Sequence, residues 1–205
     1  LYSRAHNAKD ARSRHDNAFY LFEAAIKLTA VPMIAQYTDD VRRGASPNPT
    51  LRRLLVRLAL PSLGQWLAIV RGLAQHYGAG DDDHPLAGLD AALRAKLSGD
   101  SPLLELYREI RHGPDEARSN DRTCTILDVF DSLVRYRNVV FGHGAARLMS
   151  FYRDRMGPLL FPAINELLEP GRLPMLGPTG SKLVHVDGCH RRDDGGFDVA
   201  ALDLV

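Results

Sequence analysis

Apolar residues recur every three or four positions through most of this chain, and that spacing is the feature that most constrains its fold. Residues with this period line one face of an α-helix, and a chain of such segments must pack those faces together. The clearest stripe lies within 16–43 and consists of Phe19, Phe22, Ile26, Thr29 and Met33. The sequence therefore predicts a mainly α fold, an antiparallel helical bundle.

Proline and serine mark the ends of the first helices. Pro32 lies inside the first stripe, so we expect a kink or a break there. Pro49 suits the first turn of a helix that continues to about Leu60. Ser62 then suits the N-cap of a third helix, because its hydroxyl can accept from the first backbone N–H groups.

Four further helices are predicted in the second half of the bundle. Thr125 and Asp128 have the spacing of a capping box, which predicts a helix that ends near Phe141. The apolar spacing also predicts short helices over 86–97 and 102–111, and a last helix over 146–169 that is bent or interrupted near Gly157-Pro158 and Pro162.

The composition changes after Pro170. Glycine and proline are frequent in 170–180, which predicts a linker. Lys182–Val186 and Phe197–Leu204 have the character of two strands, a short β-hairpin-like appendage. The expected organisation is a helical domain over 1–169, the linker, and a β-rich appendage or the start of a truncated second unit over 181–205.

Charge and cysteine content limit the classes of function. The formal net charge of +1 argues against a general polyanion binder but leaves room for a local basic patch. Cys124 and Cys189 are too few for a disulfide framework, which favours reduced thiols in a cytoplasmic protein. Charged residues interrupt the apolar runs, so we expect no membrane span. The chain starts at Leu1, and we expect further domains of the same polypeptide.

The strongest candidate for chemistry is the segment that contains Arg137, Asn138 and His143 near the end of an apolar helix. Histidine can transfer protons near neutral pH, and arginine can stabilise negative charge that develops on a phosphate. If the helix unwinds at Gly142, both side chains can reach one cleft. Such a pair suits RNA cleavage by the neighbouring ribose 2′-hydroxyl, which requires no metal.

A second Arg-x4-His pair, Arg71 and His76, shows that the spacing alone is not specific. That pair lies within a predicted helix and lacks both the following asparagine and the flanking glycines. Under the alternative interpretation, Arg137 and Asn138 form hydrogen bonds at a helix end and His143 is a turn residue.

Several arginines are candidate contacts for RNA phosphates. They are Arg135, Arg52, Arg53 and Arg57. The last three have the spacing of a solvated helix face, which is the competing interpretation.

The predicted helices together with Arg-Asn-x4-His resemble the HEPN superfamily, whose hallmark is an Arg-x(4–6)-His motif. The segment 14–24 is also similar to the first long helix of some multidomain bacterial proteins with such domains. The resemblance covers about 16–169. It implies a helical bundle, a homodimer, and metal-independent ribonuclease activity at a composite site where two motifs meet, with Arg137 and His143 catalytic and Asn138 supporting. It also suggests a role in stress or anti-phage defence.

Two alternatives stay open beside this hypothesis. Many members of that superfamily are non-catalytic modules that dimerise a larger protein or sense a ligand, and this chain has no feature that excludes such a role. His185, Cys189 and His190 are candidate zinc ligands and Asp81–Asp83 a candidate cation site, but neither has a complete ligand set. We therefore predict no metal and no cofactor. Glu23 and Lys27 are predicted to form an ion pair along one helix.

Overall fold

The computed structural model describes residues 2–59, 61–79, 84, 86–113, 122–141, 147–169, 172–173, 184–191 and 197–203. This part of the chain is mainly helical, as predicted. The α-helices are α1 (Tyr2–His6), α2 (Ala11–Arg42), α3 (Pro49–Leu55), α4 (Leu63–Gly78), α5 (Ala87–Arg94), α6 (Pro102–His112), α7 (Ile126–Val140) and α8 (Gly157–Leu167). A 3-10 turn (Val56–Ala59) extends α3, and a π-helical segment (Phe151–Met156) precedes α8.

The predicted capping signals are confirmed. The Ser62 and Thr125 hydroxyls accept from the backbone N–H groups of Gln65 and Asp128, whose side chains accept in return from the cap N–H groups. Both capping boxes are therefore complete. Each one pairs backbone N–H groups that a helix start otherwise leaves without a partner. Pro49 lies in the first turn of α3, as expected.

The sequence predicted a kink or a break at Pro32; the break is absent, because α2 continues through that residue. A proline inside a helix removes one backbone hydrogen bond and costs about 3 kcal/mol. Residues on either side of Pro32 are fully buried, among them Thr29, Ala30 and Met33. Burial of this face offsets the cost of the proline, and such packing is not visible in the local sequence.

The long helix α2 packs against α4 and α8, and α6 packs against α7 and α8. The core contains large side chains from each of these helices, including Phe22 of α2, Leu73 of α4, Leu104 of α6, Phe130 of α7 and Leu160 of α8, all at 0% exposure. The result is a helical bundle with one continuous apolar core.

By length and composition, α2 could cross a membrane, and it is the one described helix for which this is so. On length and composition alone, the sequence expectation of no membrane span is therefore not met by α2. However, Phe22, Ile26 and Met33 on this helix are fully buried. Burial of its apolar face within the bundle also explains its composition, since core helices are as apolar as membrane spans.

Two short strands interrupt the helical pattern. The strands β1 (Lys96–Ser98) and β2 (Thr123–Thr125) pair antiparallel, with Leu97 opposite Cys124. The predicted helix over 86–97 is therefore wrong at its end, where α5 stops at Arg94. The partner strand is far along the sequence, so this pairing has no local signal.

The predicted interruption near Gly157 and the predicted strand pair are present, but no break occurs at Pro162. The change from π-helix to α-helix occurs at Gly157, beside the predicted interruption, whereas Pro162 lies inside α8 without a break. The strands β3 (Val184–Arg191) and β4 (Phe197–Asp203) pair antiparallel. The linker prediction falls mostly outside the described residues.

Candidate functional site

The motif helix α7 presents its final turns to solvent. Arg135, Arg137 and Asn138 are all exposed, whereas Tyr136 between them is buried. Successive residues of an α-helix are about 100° apart, so Asn138 lies between the other two on the exposed arc. Arg135 lies about 160° from Arg137 around the axis and does not share its face.

No described carboxylate forms an ion pair with Arg137. Arg147, which begins the next described stretch, is also exposed and has no ion pair among the described residues. These guanidinium groups are available for an anion, because a cation without a carboxylate partner keeps its full attraction for phosphate. Arg147 was not predicted from the sequence, since it lies outside any motif.

His143 and the residues 142–146 around it lie outside the described residues. The helix nevertheless fixes where this segment starts. Phe141 follows Arg137 by four positions, and residues four apart share one face of a helix. The described part of the helix therefore ends about one turn beyond Arg137.

Beneath the motif is a buried histidine, His15 of α2, which sequence reasoning did not select. Its Nδ1 lies 2.7 Å from Asp16 Oδ1, and its Nε2 lies 2.5 Å from the Tyr136 hydroxyl. A carboxylate can only accept, so Nδ1 carries the proton of a neutral ring and Nε2 accepts from the Tyr136 O–H. The side chain of His15 is 0% exposed.

Four aromatic rings surround this imidazole, and together with His15 we call them the His15 cage. The Phe141 ring stacks on the imidazole at a centroid distance of 5.8 Å, and the Tyr152 ring meets it edge-on at 5.0 Å. The other two rings belong to Tyr136 and Phe151. The cage therefore joins α2, α7 and the π-helical segment at the end of the motif helix.

The cage perturbs the ionisation of its polar members. Burial lowers the pKa of the His15 imidazole, the Asp16 carboxylate opposes that shift, and Arg12 adds to it. Burial raises the pKa of the Tyr136 hydroxyl; Tyr152 and Asp16 add to the shift, and Arg147 and Arg155 oppose it. Both groups are therefore kept neutral near pH 7.

Cations border the cage on its Phe151 side. The Arg147 guanidinium lies 6.0 Å from the Phe151 ring centroid and that of Arg155 lies 5.6 Å from it. Arg155 is also paired with Glu109 of α6. The charge of Arg155 is therefore balanced by Glu109 within the bundle. Arg147 is the cation that adds positive charge to the candidate site.

The second Arg-x4-His pair does not form a site. Residues five apart on a helix point about 140° away from each other. Arg71 is paired with Asp131 of α7, and His76 contacts the rings of Tyr37 and Tyr77. Both side chains therefore have structural partners, whereas Arg137 forms no ion pair with a described carboxylate.

The arginines of α3 are not brought to the motif. Arg52 and Arg53 are exposed, as a solvated face predicts, and the side chain of Arg57, in the 3-10 turn after α3, lies outside the described structure. α3 packs on α4 at Gly72, where Leu51 would lie 2.9 Å from an added Cβ, whereas Val134, close to the motif on α7, contacts α4 at Gly64. These glycines are about 12 Å apart along the helix axis.

The metal candidates remain without support. Asp81–Asp83 and the side chains of His185, Cys189 and His190 lie outside the described structure. His84 Nε2 is 3.4 Å from Asp40 Oδ2, but His84 Nδ1 accepts from the Leu86 N–H. The proton of the neutral ring is then on Nε2, which cannot donate a lone pair to a metal. The predicted Glu23–Lys27 ion pair is present at 2.7 Å.

No known protein family, curated protein or solved structure gives a significant match to this chain.

Proposed function

We propose that this chain is a metal-independent endoribonuclease of the HEPN type, with Arg137 and His143 as the catalytic pair and Asn138 as a supporting residue. The observation that carries the proposal is the exposure of Arg137 and Asn138 on the last turns of α7, in a mainly helical bundle, beside the segment that contains His143.

Chain connectivity keeps the two catalytic groups within reach of one phosphate. Two residues span at most about 7 Å, so the Cα of His143 lies no farther than that from the Cα of Phe141. Four helical residues rise about 6 Å between Arg137 and Phe141. The two Cα atoms are thus at most about 13 Å apart, a span that an arginine and a histidine side chain can close from either side.

The reaction is an internal transfer within the RNA. The ribose 2′-oxygen attacks the adjacent phosphorus and loses its proton to a base, and the bond from phosphorus to the 5′-oxygen breaks as that oxygen takes up a proton. His143 exchanges these protons, and Arg137 stabilises the charge on the phosphoryl oxygens. The products are a 2′,3′-cyclic phosphate and a 5′-hydroxyl end.

A homodimer would bring a second Arg137–His143 pair to the same RNA, so that one histidine acts as base and the other as acid. Support for this part of the proposal comes from apolar side chains exposed beside the motif. Val139 is 53% exposed, Leu148 80% and Met149 52%. Large apolar groups that flank polar residues on a surface are typical of protein interfaces.

The test is cleavage of an end-labelled single-stranded RNA by the purified chain in excess EDTA. Arg137→Ala and His143→Ala should each lower the rate at least about 100-fold while circular dichroism stays native. Arg71→Gln and His76→Gln are matched controls, because they remove the second Arg-x4-His pair, and they should cleave at the rate of the unmodified chain.

Two results would contradict the proposal. Equal cleavage by all four variants would assign the activity to another site. Absence of cleavage by a stable dimer, under all RNA substrates tried, would favour the alternative, a non-catalytic dimerisation or ligand-sensing module of a larger protein. The exposed apolar side chains beside α7 suit that alternative as well.

A further inference from the structure

We infer that His15 is a positioning residue: through the His15 cage it holds Phe141 at the end of α7 and Arg147 at the start of the next described stretch, and so sets the direction of Arg137 and Arg147. The anchoring follows from the geometry of the cage. Its consequence for RNA cleavage rests on the proposed function.

The first anchor holds the end of α7. Tyr136 donates to His15 Nε2, and Phe141 stacks on the same imidazole with its ring planes 15° apart. Phe141 also contacts the ring of Phe19, at a centroid distance of 4.9 Å. Because Tyr136 precedes Arg137 and Phe141 is the last described residue before His143, rotation of α7 about its axis is restrained on both sides of the catalytic arginine.

The second anchor holds Arg147, where the described chain resumes. The Tyr152 hydroxyl accepts from the backbone N–H of Arg147 at 3.2 Å, and the Tyr152 ring packs edge-on against His15. Phe151 contacts the same imidazole at a centroid distance of 6.3 Å. Phe141 and Arg147 are thus both tied to one buried ring, directly or through Tyr152.

A buried polar group of this kind needs a reason, because an apolar side chain would fill the same space without the cost of desolvation. His15 meets both of its hydrogen-bonding requirements, with Asp16 on one side and Tyr136 on the other. These two bonds hold the imidazole in one orientation, and a phenyl ring could form neither of them. The directional contact with Tyr136 is what distinguishes a positioning role from simple packing.

The charged and titratable groups that face the cage are consistent with a neutral imidazole. They are Arg12 and Asp16 on α2, Tyr136 on α7, Tyr152 on the π-helical segment, and Arg147 and Arg155 near the Tyr136 hydroxyl. Asp16 is the one carboxylate among them, and it is already bonded to Nδ1.

The test uses Tyr136→Phe, which keeps the ring and removes the bond to His15. The matched control is Tyr77→Phe, which removes a buried tyrosine hydroxyl bonded to Asp40 at 2.7 Å in a part of the bundle away from the motif. The first readout is limited trypsin digestion, with mass spectrometry of the fragment that begins at Leu148, because trypsin cuts after Arg147. A buried hydrogen bond of ordinary strength changes a local opening equilibrium by about threefold to tenfold.

Tyr136→Phe should be cut after Arg147 about threefold to tenfold faster than the unmodified chain, and Tyr77→Phe at the unmodified rate. The second readout is RNA cleavage in EDTA. Tyr136→Phe should lower kcat about tenfold and change KM less than about twofold, because the catalytic groups are misdirected while RNA contacts remain. Tyr77→Phe should change neither constant.

Equal trypsin rates in all three proteins would overturn the anchor. If Tyr136→Phe loses its native circular dichroism, Tyr152→Phe decides: faster cutting after Arg147 supports the anchor, and an unchanged rate overturns it. Failure of the unmodified chain to cleave RNA would overturn the proposed function only, since the trypsin result does not depend on activity. A drop in kcat without faster cutting would contradict the anchor and leave the nuclease in place.

Discussion

The carboxylate of Glu166 on α8 caps the start of α6, and its removal should destabilise the whole bundle. The side chain is buried and accepts from the Leu103 N–H at 3.0 Å, the Ser101 hydroxyl at 2.8 Å and the Arg172 guanidinium at 2.7 Å. A negative charge at this position also interacts favourably with the N-terminus of α6. Glu166 therefore acts as a helix cap supplied by a different helix.

The cost of Glu166→Ala can be worked out from these contacts. Each hydrogen bond to a charged group contributes about 1.5–3 kcal/mol, but Arg172 is partly exposed and can be rehydrated. The Leu103 N–H is buried and loses its partner, and the cavity adds to the loss. We expect a decrease of about 3–4 kcal/mol in the free energy of unfolding. For a chain of this size that corresponds to a decrease in Tm of about 6–16 °C.

Thermal and urea unfolding followed by circular dichroism measure this decrease. Glu166→Gln should cost less, about 1–2 kcal/mol, because the amide oxygen still accepts from Leu103 while the charge is lost. Glu169→Ala is the matched control; it removes an exposed glutamate two residues beyond the end of the same helix and should change the free energy by less than about 0.5 kcal/mol. If Glu166→Ala and Glu169→Ala unfold at the same urea concentration, the assigned cap contributes nothing.

Three further predictions concern the elements that hold the motif. Burial lowers the pKa of His15 in the folded state, so on acidification the unfolded state binds the proton first. The free energy of unfolding should therefore fall as the pH drops below about 6.5. Urea titrations of His15→Gln should show a smaller fall with pH. Gly157→Ala would place a Cβ 2.9 Å from the Tyr152 carbonyl oxygen, and calorimetry should show a loss of about 1–3 kcal/mol; an unchanged Tm would contradict a tight junction there. Asp128→Ala removes half of the Thr125 capping box and should cost about 0.5–2 kcal/mol in urea unfolding, against no loss if the box contributes nothing.

Local signals were sufficient for most of the helical architecture. The capping pattern at Thr125 and Asp128 determined where the motif helix begins, because both partners lie within one turn. The same holds for Ser62 and Pro49 at the starts of α4 and α3. Arg137 and Asn138 were also selected from sequence, and their exposure follows from their position beside the buried Tyr136 on one helix.

Tertiary contacts decided the remainder, because they join residues that are distant in sequence. His15 and Tyr136 are 121 positions apart, and neither has a neighbour that signals the other. The pairing of Leu97 with Cys124 ended α5 early, and burial around Pro32 kept α2 continuous. A sequence of 205 residues thus determined which segments become helices, since capping and periodicity act over a few residues. Only packing determined that His15 contacts Tyr136 on the motif helix, since this contact depends on how whole helices pack against each other.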